Sequence, residues 1–348
     1  MDGGVTVKSR GQTATTGLLG CAAVVTEQID VRAGETAKLV EAVARNVGRV
    51  IQGKDDVVAL ALVCLLAEGH LLVEDVPGVG KTTLAKSIAR SIEGSYGRIQ
   101  FTPDLLPSDV VGVSVWNRGT GEFEFRNGPV FCDVLLADEI NRASPKTQSA
   151  LLECMGERQV TVDGTTYPLG APFLVLATQN PVEHEGTYPL PESQLDRFLM
   201  RISMGYPGRD SELAMLDAHG DEDPLERIGS VTGSAAVVAA QRAVRRIHVA
   251  ASLKGYLIDL ADATRRHPRL ALGVSPRATL ALLRAARARA AFAGRTYVVP
   301  DDLKALAVPV LAHRLVAAPE AQLAGVTAGD ALLEVLRGVP VPTGKSSR

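Results

Sequence analysis

Hydrophobic positions along the chain follow two different periods, and the change between them divides the sequence into two regions. Up to about residue 206, short apolar runs of strand length alternate with stretches of helical spacing. The predicted strands are His70–Glu74, Arg98–Phe101, Val134–Ala137, Phe173–Ala177 and Phe198–Ser203. The predicted helices among them are Glu35–Val47, Asp56–Glu68, Lys81–Ile92 and Pro145–Met155. Apolar strands that alternate with helices are typical of a parallel sheet covered on both faces.

The boundary with the second region lies near Tyr206-Pro207-Gly208-Arg209, where proline and glycine punctuate the chain and the strand pattern stops. The predicted helices of this region are Ala235–Val249, Gly255–Arg266, Pro276–Ala293, Pro300–His313 and Ala328–Leu336. We therefore predict an α/β core over residues 34–206, with a parallel sheet sandwiched by helices. A smaller all-α domain is predicted over residues 207–340, with flexible tails at residues 1–33 and 341–348.

Composition narrows the class of protein without changing this division. The chain has 348 residues, enough for about two domains, and its 46% hydrophobic and 22% charged residues match soluble globular proteins. The formal net charge of -2 argues against a protein that grips nucleic acid over its whole surface. Such binding needs a basic face that neutralises phosphates. We expect no nucleic acid partner.

Cysteine usage and hydropathy favour a cytoplasmic protein without membrane insertion. No cysteine belongs to a CxxC pair or has a histidine at ligand spacing, so reduced thiols are expected rather than zinc or disulfides. No apolar run reaches the roughly 20 residues of a membrane span. Lys8 and Arg10 precede a short apolar stretch that faintly resembles a lipoprotein leader, but threonines interrupt it, and an unordered tail is the better interpretation.

A glycine-rich segment, Asp75-Val76-Pro77-Gly78-Val79-Gly80-Lys81-Thr82, joins a predicted strand to a predicted helix, the setting of a phosphate-binding loop. Its glycines permit a curl that points N–H groups at phosphate oxygens, and the helix start adds partial positive charge. Lys81 would reach the β and γ phosphates of ATP, and Thr82 would bind magnesium. The strict motif begins with glycine where this chain has Asp75, so a glycine-rich turn without a ligand is the alternative. The predicted nucleotide contacts here are Pro77, Gly78, Val79, Gly80, Lys81, Thr82 and Thr83.

Two carboxylates, Asp138 and Glu139, directly follow the apolar strand at Val134–Ala137. Ligands of parallel sheets bind at the carboxyl ends of strands, so the acidic pair should lie beside the phosphate-binding loop. Asp138 suits magnesium ligation through water, and Glu139 suits activation of the attacking water as a general base. Alone, the pair would more simply be a solvated turn. Together with the loop it predicts ATP hydrolysis with magnesium.

Longer runs extend this prediction to a family. The chain resembles the MoxR family of AAA+ ATPases at Asp138–Gln148, at Ala177–Glu183, at Gly186–Phe198 and at the lid signature Gly273–Ala278. The resemblance covers about residues 35–340, and the runs are too long for chance. It implies an AAA+ phosphate-loop core followed by a helical lid domain.

The resemblance also implies roles for single residues. Asn180 matches the sensor that holds the attacking water near the γ phosphate, and Arg197 matches an arginine finger donated to the neighbouring subunit. Arg277 matches the second sensor of the lid, acting on its own nucleotide or a neighbour's. Ile51 and Gly53 lie in a segment that resembles the adenine-side loop. Without the resemblance, Asn180 would be a turn residue and Arg197 a surface arginine paired with an acid. Arg277 would belong to a solvated arginine face, and Ile51 and Gly53 to a connecting turn.

Two insertions interrupt the core. Residues 157–169 alternate around Asp163-Gly164, which predicts a β-hairpin. Residues 111–130 carry the only tryptophan, Trp116, together with two phenylalanines. Both insertions are candidates for contact with a substrate or partner, although aromatic residues are more often ordinary packing.

The resemblance implies a chaperone-like ATPase that remodels or matures a client protein complex, in some cases by metal insertion. It further implies a homo-oligomer, a hexameric ring, and a partner protein with a von Willebrand A domain. The alternatives are a nucleic-acid motor like the MCM AAA+ proteins, a subunit of a metal chelatase, and a nucleotide switch without catalysis. The hairpin has no cluster of lysines and arginines, which disfavours the motor.

Overall fold

A five-stranded parallel sheet forms the centre of the first region in the computed structural model, which describes residues 34–180, 187–218 and 223–342. The strands of the chain are β1 (Leu71–Glu74), β2 (Tyr96–Gln100), β3 (Gly112–Asn117), β4 (Glu122–Asn127), β5 (Val134–Asp138), β6 (Gln159–Val162), β7 (Thr165–Pro168), β8 (Leu174–Gln179), β9 (Met200–Ile202), β10 (Leu270–Leu272) and β11 (Val316–Ala317). The central sheet has the order β2-β5-β8-β1-β9. The predicted parallel sheet is confirmed.

Helices cover both faces of this sheet and make up most of the second region. They are α1 (residues 34–48), α2 (Asp55–Leu66), α3 (Lys81–Ser91), α4 (Pro107–Val111), α5 (Pro145–Glu157), α6 (Glu192–Leu195), α7 (Arg209–Ala218), α8 (Ser234–Val244), α9 (Ala251–Arg265), α10 (Pro276–Phe292), α11 (Pro300–Leu311), α12 (Pro319–Leu323) and α13 (Ala328–Gly338). In the part of the chain that the structure describes, no helix is both long and apolar enough to cross a membrane.

The two faces of the sheet belong to two separate cores, because side chains alternate along each strand. Leu71 and Val73 of β1 face a core that contains α1, α2 and α3 and continues without a break into the helices of the second region. Leu72 faces the opposite core, which is built with α5. The shared first core fixes the second region against the sheet.

The parallel register brings the carboxyl ends of the three central strands to one edge. Glu74 at the end of β1 pairs with Gln179 of β8, and Ala137 near the end of β5 pairs with Ala177 of β8. The segments that follow these strands therefore lie side by side. They are the phosphate-binding loop, the acidic pair and Asn180.

Both insertions form hairpins. The predicted turn at Asp163-Gly164 joins β6 to β7, and both residues have positive φ, at 50° and 77°, as a tight two-residue turn requires. Residues 111–130 contain the antiparallel pair β3–β4, which no alternation had predicted. Phe125 stacks on Tyr167 with ring centroids 4.1 Å apart, which links the two hairpins.

The second region departs from the all-α expectation in one respect. The strands β10 and β11 pair in an antiparallel two-stranded sheet, although the pattern after residue 207 predicts helices alone. Strands of three and two residues are too short for an alternation of apolar and polar positions to be recognised. The predicted helix Ala235–Val249 also ends early, at Val244.

Some predictions fall outside the described residues. These are the tail at residues 1–33, most of the tail at residues 341–348, and residues 181–186 of the runs that resemble the family.

Candidate active site

The phosphate-binding loop follows β1 and ends in a left-handed glycine. Gly78 and Gly80 have φ values of 87° and 95°, and Gly80 caps the start of α3. L side chains rarely adopt such backbone angles, so glycine is required by conformation. A Cβ atom on Gly78 would meet no other atom within 4 Å, so the space beside this residue is open. A curled loop with open space at a helix start fits phosphate groups.

Lys81 points back into this loop. Its Nζ donates a hydrogen bond to the carbonyl oxygen of Asp75 over 2.8 Å. Burial lowers the pKa of the Lys81 ammonium, and the charges of Asp138, Asp75 and Glu139 oppose that change. The structure thus brings Lys81 beside the acidic pair. Thr82 and Thr83 occupy the first turn of α3 behind it.

Asp138 ends β5 and is held from both neighbouring strands. Its Oδ1 accepts a hydrogen bond from Thr178 Oγ1 of β8 over 2.7 Å, and its Oδ2 forms an ion pair with Arg98 of β2 at 2.8 Å. A carboxylate fixed in this way can present oxygen ligands to a hydrated cation. The donor set of Asp138 and Thr82 therefore fits magnesium.

Glu139 follows in a strained backbone conformation, with φ at 56°. Its Oε2 accepts hydrogen bonds from Gln100 Nε2 over 2.8 Å and from Arg142 Nη1 over 2.9 Å. Its N–H donates to Thr178 Oγ1 over 2.9 Å. Strain of this kind persists where surrounding contacts enforce it, often at functional sites. The position of Glu139 at this edge of the sheet is thus fixed by contacts with Gln100, Arg142 and Thr178.

Four polar residues of this network were missed by the sequence argument: Arg98, Gln100, Arg142 and Thr178. Three of them lie in β2 and β8, the strands on either side of the acidic strand. Polar residues near the carboxyl ends of predicted strands were the available signal. Asn180 is buried directly after β8, at the same edge of the sheet.

A cleft of about 620 Å³ adjoins the loop. Its lining includes Val50, Ile51, Gln52, Gly78, Val79, Gly80 and Thr83, and on the far side Tyr206, Pro207, Ser211, Glu212, Asp223 and Pro224. Its volume lies within the range of small-molecule sites. Gly53 stands behind Ile51, with φ at 68°, and a Cβ there would come within 2.1 Å of Ser211 Oγ. Ile51 therefore lines the cleft, whereas the lack of a side chain at Gly53 lets Ser211 of α7 pack close to the backbone there.

Arg197 and Arg277 lie away from this cleft. Arg197 precedes β9 at the amino-end edge of the sheet, and its Nη1 donates to the carbonyl of Leu152 in α5 over 2.8 Å. Arg277 lies 3.5 Å from Asp196. Asp196 also pairs with Arg314 at 2.7 Å, and no ion pair joins it to Arg197 among the described residues. The structure separates both arginines from the loop of their own chain.

Asp75, the departure from the strict motif, joins the loop to the segment that follows β9, at the end of the first region. Its Oδ2 accepts hydrogen bonds from Ser203 Oγ over 3.0 Å, from the N–H of Met204, and from the N–H of Gly205 over 2.7 Å. Lys54 donates to the carbonyl oxygens of Met204 and Tyr206 in the same segment. A glycine in place of Asp75 would leave two backbone donors without an acceptor.

We predict that Asp75→Ala lowers the free energy of unfolding by about 1–3 kcal/mol, because one buried and one partly buried backbone donor lose their acceptor. Asp75→Asn, which keeps an oxygen, should lose less. Urea denaturation of each variant measures the effect, with the exposed Asp210→Ala as control. An Asp75→Ala chain as stable as the wild type would contradict this role.

The sequence and the fold of this chain are similar to those of known ATPases. Residues 70–200 match the family model "ATPase family associated with various cellular activities (AAA)", and residues 262–335 match "AAA lid domain". The chain is 50% identical to YeaC of Bacillus subtilis, an uncharacterized protein, over 87% of this chain and 94% of that one. It is 43% identical to Chaperone MoxR1 of Mycobacterium tuberculosis, over 85% of this chain and 81% of that one. A solved structure of a candidate ATPase from Cytophaga hutchinsonii superposes with a TM-score of 0.85 and 38% identity, over 93% of this chain and all of that one.

Proposed function

Because the chain belongs to the MoxR family of AAA+ ATPases and hydrolyses ATP, we propose that it couples hydrolysis to chaperone-like remodelling of a client protein complex. The observation that carries the proposal is that the phosphate-binding loop with Lys81 and the pair Asp138 and Glu139 lie at the carboxyl ends of parallel strands of one sheet, where the register brings them to the same edge. A loop for phosphate, a carboxylate for magnesium and a carboxylate for water are the parts that phosphoryl transfer to water needs.

Each residue then has a defined task. The loop N–H groups and Lys81 orient the β and γ phosphates, and Thr82 and Asp138 would hold magnesium. ATP supplies the transferable phosphoryl group, and magnesium would neutralise charge on its phosphate oxygens. Glu139 accepts a proton from the attacking water, whose oxygen forms the new bond to phosphorus while the bond to the β phosphate breaks. Asn180 orients that water from the end of β8.

Arg197 and Arg277 complete the site of a neighbouring subunit in this proposal. Both lie away from their own cleft, and Arg197 is at the opposite edge of the sheet. A guanidinium stabilises charge on the transferring phosphoryl group only in contact with it. A head-to-tail contact that carries one subunit's arginines to the next subunit's cleft closes into a ring, here a hexamer.

The two hairpins are the proposed contacts with other proteins. Trp116 and Phe123 stack edge to face at the end of the β3–β4 hairpin, and 51% and 71% of their surfaces are exposed. Exposed aromatic pairs are typical of binding surfaces. A partner with a von Willebrand A domain, metal insertion into the client and a cytoplasmic location rest on family resemblance.

Steady-state ATPase activity as a function of protein concentration, with magnesium and with or without duplex or single-stranded DNA, tests the proposal. We expect activity per subunit to rise with protein concentration, because each site needs a neighbouring subunit. We expect the addition of DNA to leave the activity unchanged. The β6–β7 hairpin supports the second expectation, since the arginine at its start, Arg158, is tied to Glu68 at 2.9 Å. Stimulation by DNA would instead favour a motor.

A further inference from the structure

A second cavity, of about 580 Å³, opens between the first region and the second region, the core and lid domains of the ATPase. It is bordered by the ends of α2, α5 and α8 and by the middle of α10. Glu68 in its wall stands before the amino end of β1, whereas the phosphate-binding loop follows the carboxyl end of the same strand. The second cavity is thus separate from the nucleotide cleft. The charged residues of its lining are Glu68, Arg158, Arg245, Arg284 and Arg287.

Two of its four arginines have a structural explanation. Glu68 accepts a hydrogen bond from Arg158 Nη1 over 2.9 Å, and two from Nε and Nη2 of Arg245 over 2.6 Å each. Arg158 and Arg245 also cap the carboxyl ends of α5 and α8, where helix carbonyls favour a cation. These two arginines would be expected without any ligand.

The other two arginines lack such partners. Among the described residues, Arg284 and Arg287 form no ion pair, and the Nε–H of Arg287 is buried without an acceptor. On the same helix, by contrast, Arg277 pairs with Asp196 and Arg289 pairs with Asp302, each at 3.5 Å. Like charges three positions apart on a helix repel each other. Unpaired arginines at this spacing are therefore unfavourable without a counter-anion.

The surroundings disfavour the charged form of Arg284. Burial lowers the pKa of the Arg284 guanidinium, and the charges of Arg158 and Arg277 act in the same direction, against Cys64 and Glu68. Glu68 and Arg158, which follow the ends of α2 and α5, both have φ at 53°, the left-handed conformation that commonly ends a helix.

We propose that this cavity binds a small multivalent oxyanion of the phosphate or diphosphate class. Four guanidinium groups against one carboxylate leave an excess of three positive charges, and the planar fork of arginine suits phosphate oxygens. The volume is also that of a small-molecule site. Since α2 and α5 belong to the core and α8 and α10 to the lid, a bound anion would join the two regions.

Calorimetric titration with inorganic pyrophosphate tests the proposal. The full chain carries Lys81→Ala, so that the phosphate-binding loop contributes little. We expect binding in this background and a dissociation constant at least about 10-fold higher when Arg284→Gln and Arg287→Gln are added, since two charge-assisted contacts are lost. The matched control, Arg242→Gln with Arg246→Gln, removes two exposed arginines of the lid that do not line the cavity and should change binding less than about twofold.

No binding to the Lys81→Ala chain would overturn the proposal, and so would equal binding after loss of Arg284 and Arg287. Thermal unfolding without pyrophosphate shows that each variant is folded. If the glutamine pair does not fold, Arg284→Lys with Arg287→Lys replaces it. That pair keeps the charge but loses the fork, so weaker binding is expected and unchanged binding would contradict the site. Competition by ADP would assign the ligand to a nucleotide, and its absence to a free anion.

Discussion

Replacing Glu139 by glutamine is expected to abolish turnover while ATP binding is retained. Glutamine keeps the size of the side chain but cannot accept a proton from water, and general-base catalysis typically contributes about 100- to 10,000-fold. The loop, Lys81 and Asp138 are unchanged, so nucleotide affinity should stay within about threefold of the wild type. Phosphate release measures turnover, and calorimetry with ATP and magnesium measures binding.

Glu122→Gln is the matched control, because it makes the same change on the exposed β3–β4 hairpin. It should turn over at the wild-type rate. If Glu139→Gln kept that rate as well, Glu139 would not be the base. A Glu139→Gln chain that bound ATP poorly would instead show that its contacts with Gln100 and Arg142 shape the binding site.

The sequence predicts which residues meet in this site because of the geometry of parallel sheets. Lys81, Asp138 and Asn180 each follow an apolar strand, and parallel strands place their carboxyl ends at one edge. No knowledge of the strand order is needed for that conclusion. The roles of these residues stay predictions, whereas the AAA+ fold and the ATPase family are confirmed.

The contacts that hold the acidic pair could not be predicted in the same way. Thr178 and Gln100 reach Asp138 and Glu139 because β5 lies between β2 and β8, and a local pattern does not state the order of strands. Asp75 is a second example. Alone it looks like a defect in a glycine motif, since its partners lie about 130 residues later in the chain.

The positions of Arg197 and Arg277 are the part of the structure that most constrains the working assembly. Asp196 contacts both Arg277 and Arg314, so the lid is tied to the segment that carries Arg197. A movement of the lid would therefore shift both arginines together. In the proposed ring, the position of one subunit's lid would therefore affect the site of the next subunit.

Replacing Arg197 by alanine is expected to lower turnover by about 1,000-fold or more, the contribution typical of an arginine finger, without loss of ATP binding. ATPase assays and calorimetry measure the two quantities. Arg337→Ala, an exposed arginine of α13, is the control and should be without effect. Because Arg197 also donates to the carbonyl of Leu152, unfolding of the variant must be measured too. A variant that is folded, assembled and fully active would exclude Arg197 from catalysis.

Mixing two inactive variants shows whether Arg197 acts in the site of its own chain or in the site of a neighbouring subunit. A chain with Arg197→Ala keeps its own loop, and a chain with Lys81→Ala keeps its arginine. In an equal, random ring about one quarter of the interfaces unite an intact loop with an intact arginine, and activity should return in that proportion. If Arg197 acted within its own chain, no interface in the mixture would be complete and no activity would return. Arg277→Ala mixed with Lys81→Ala should behave like Arg197→Ala, because the structure holds both arginines away from their own cleft.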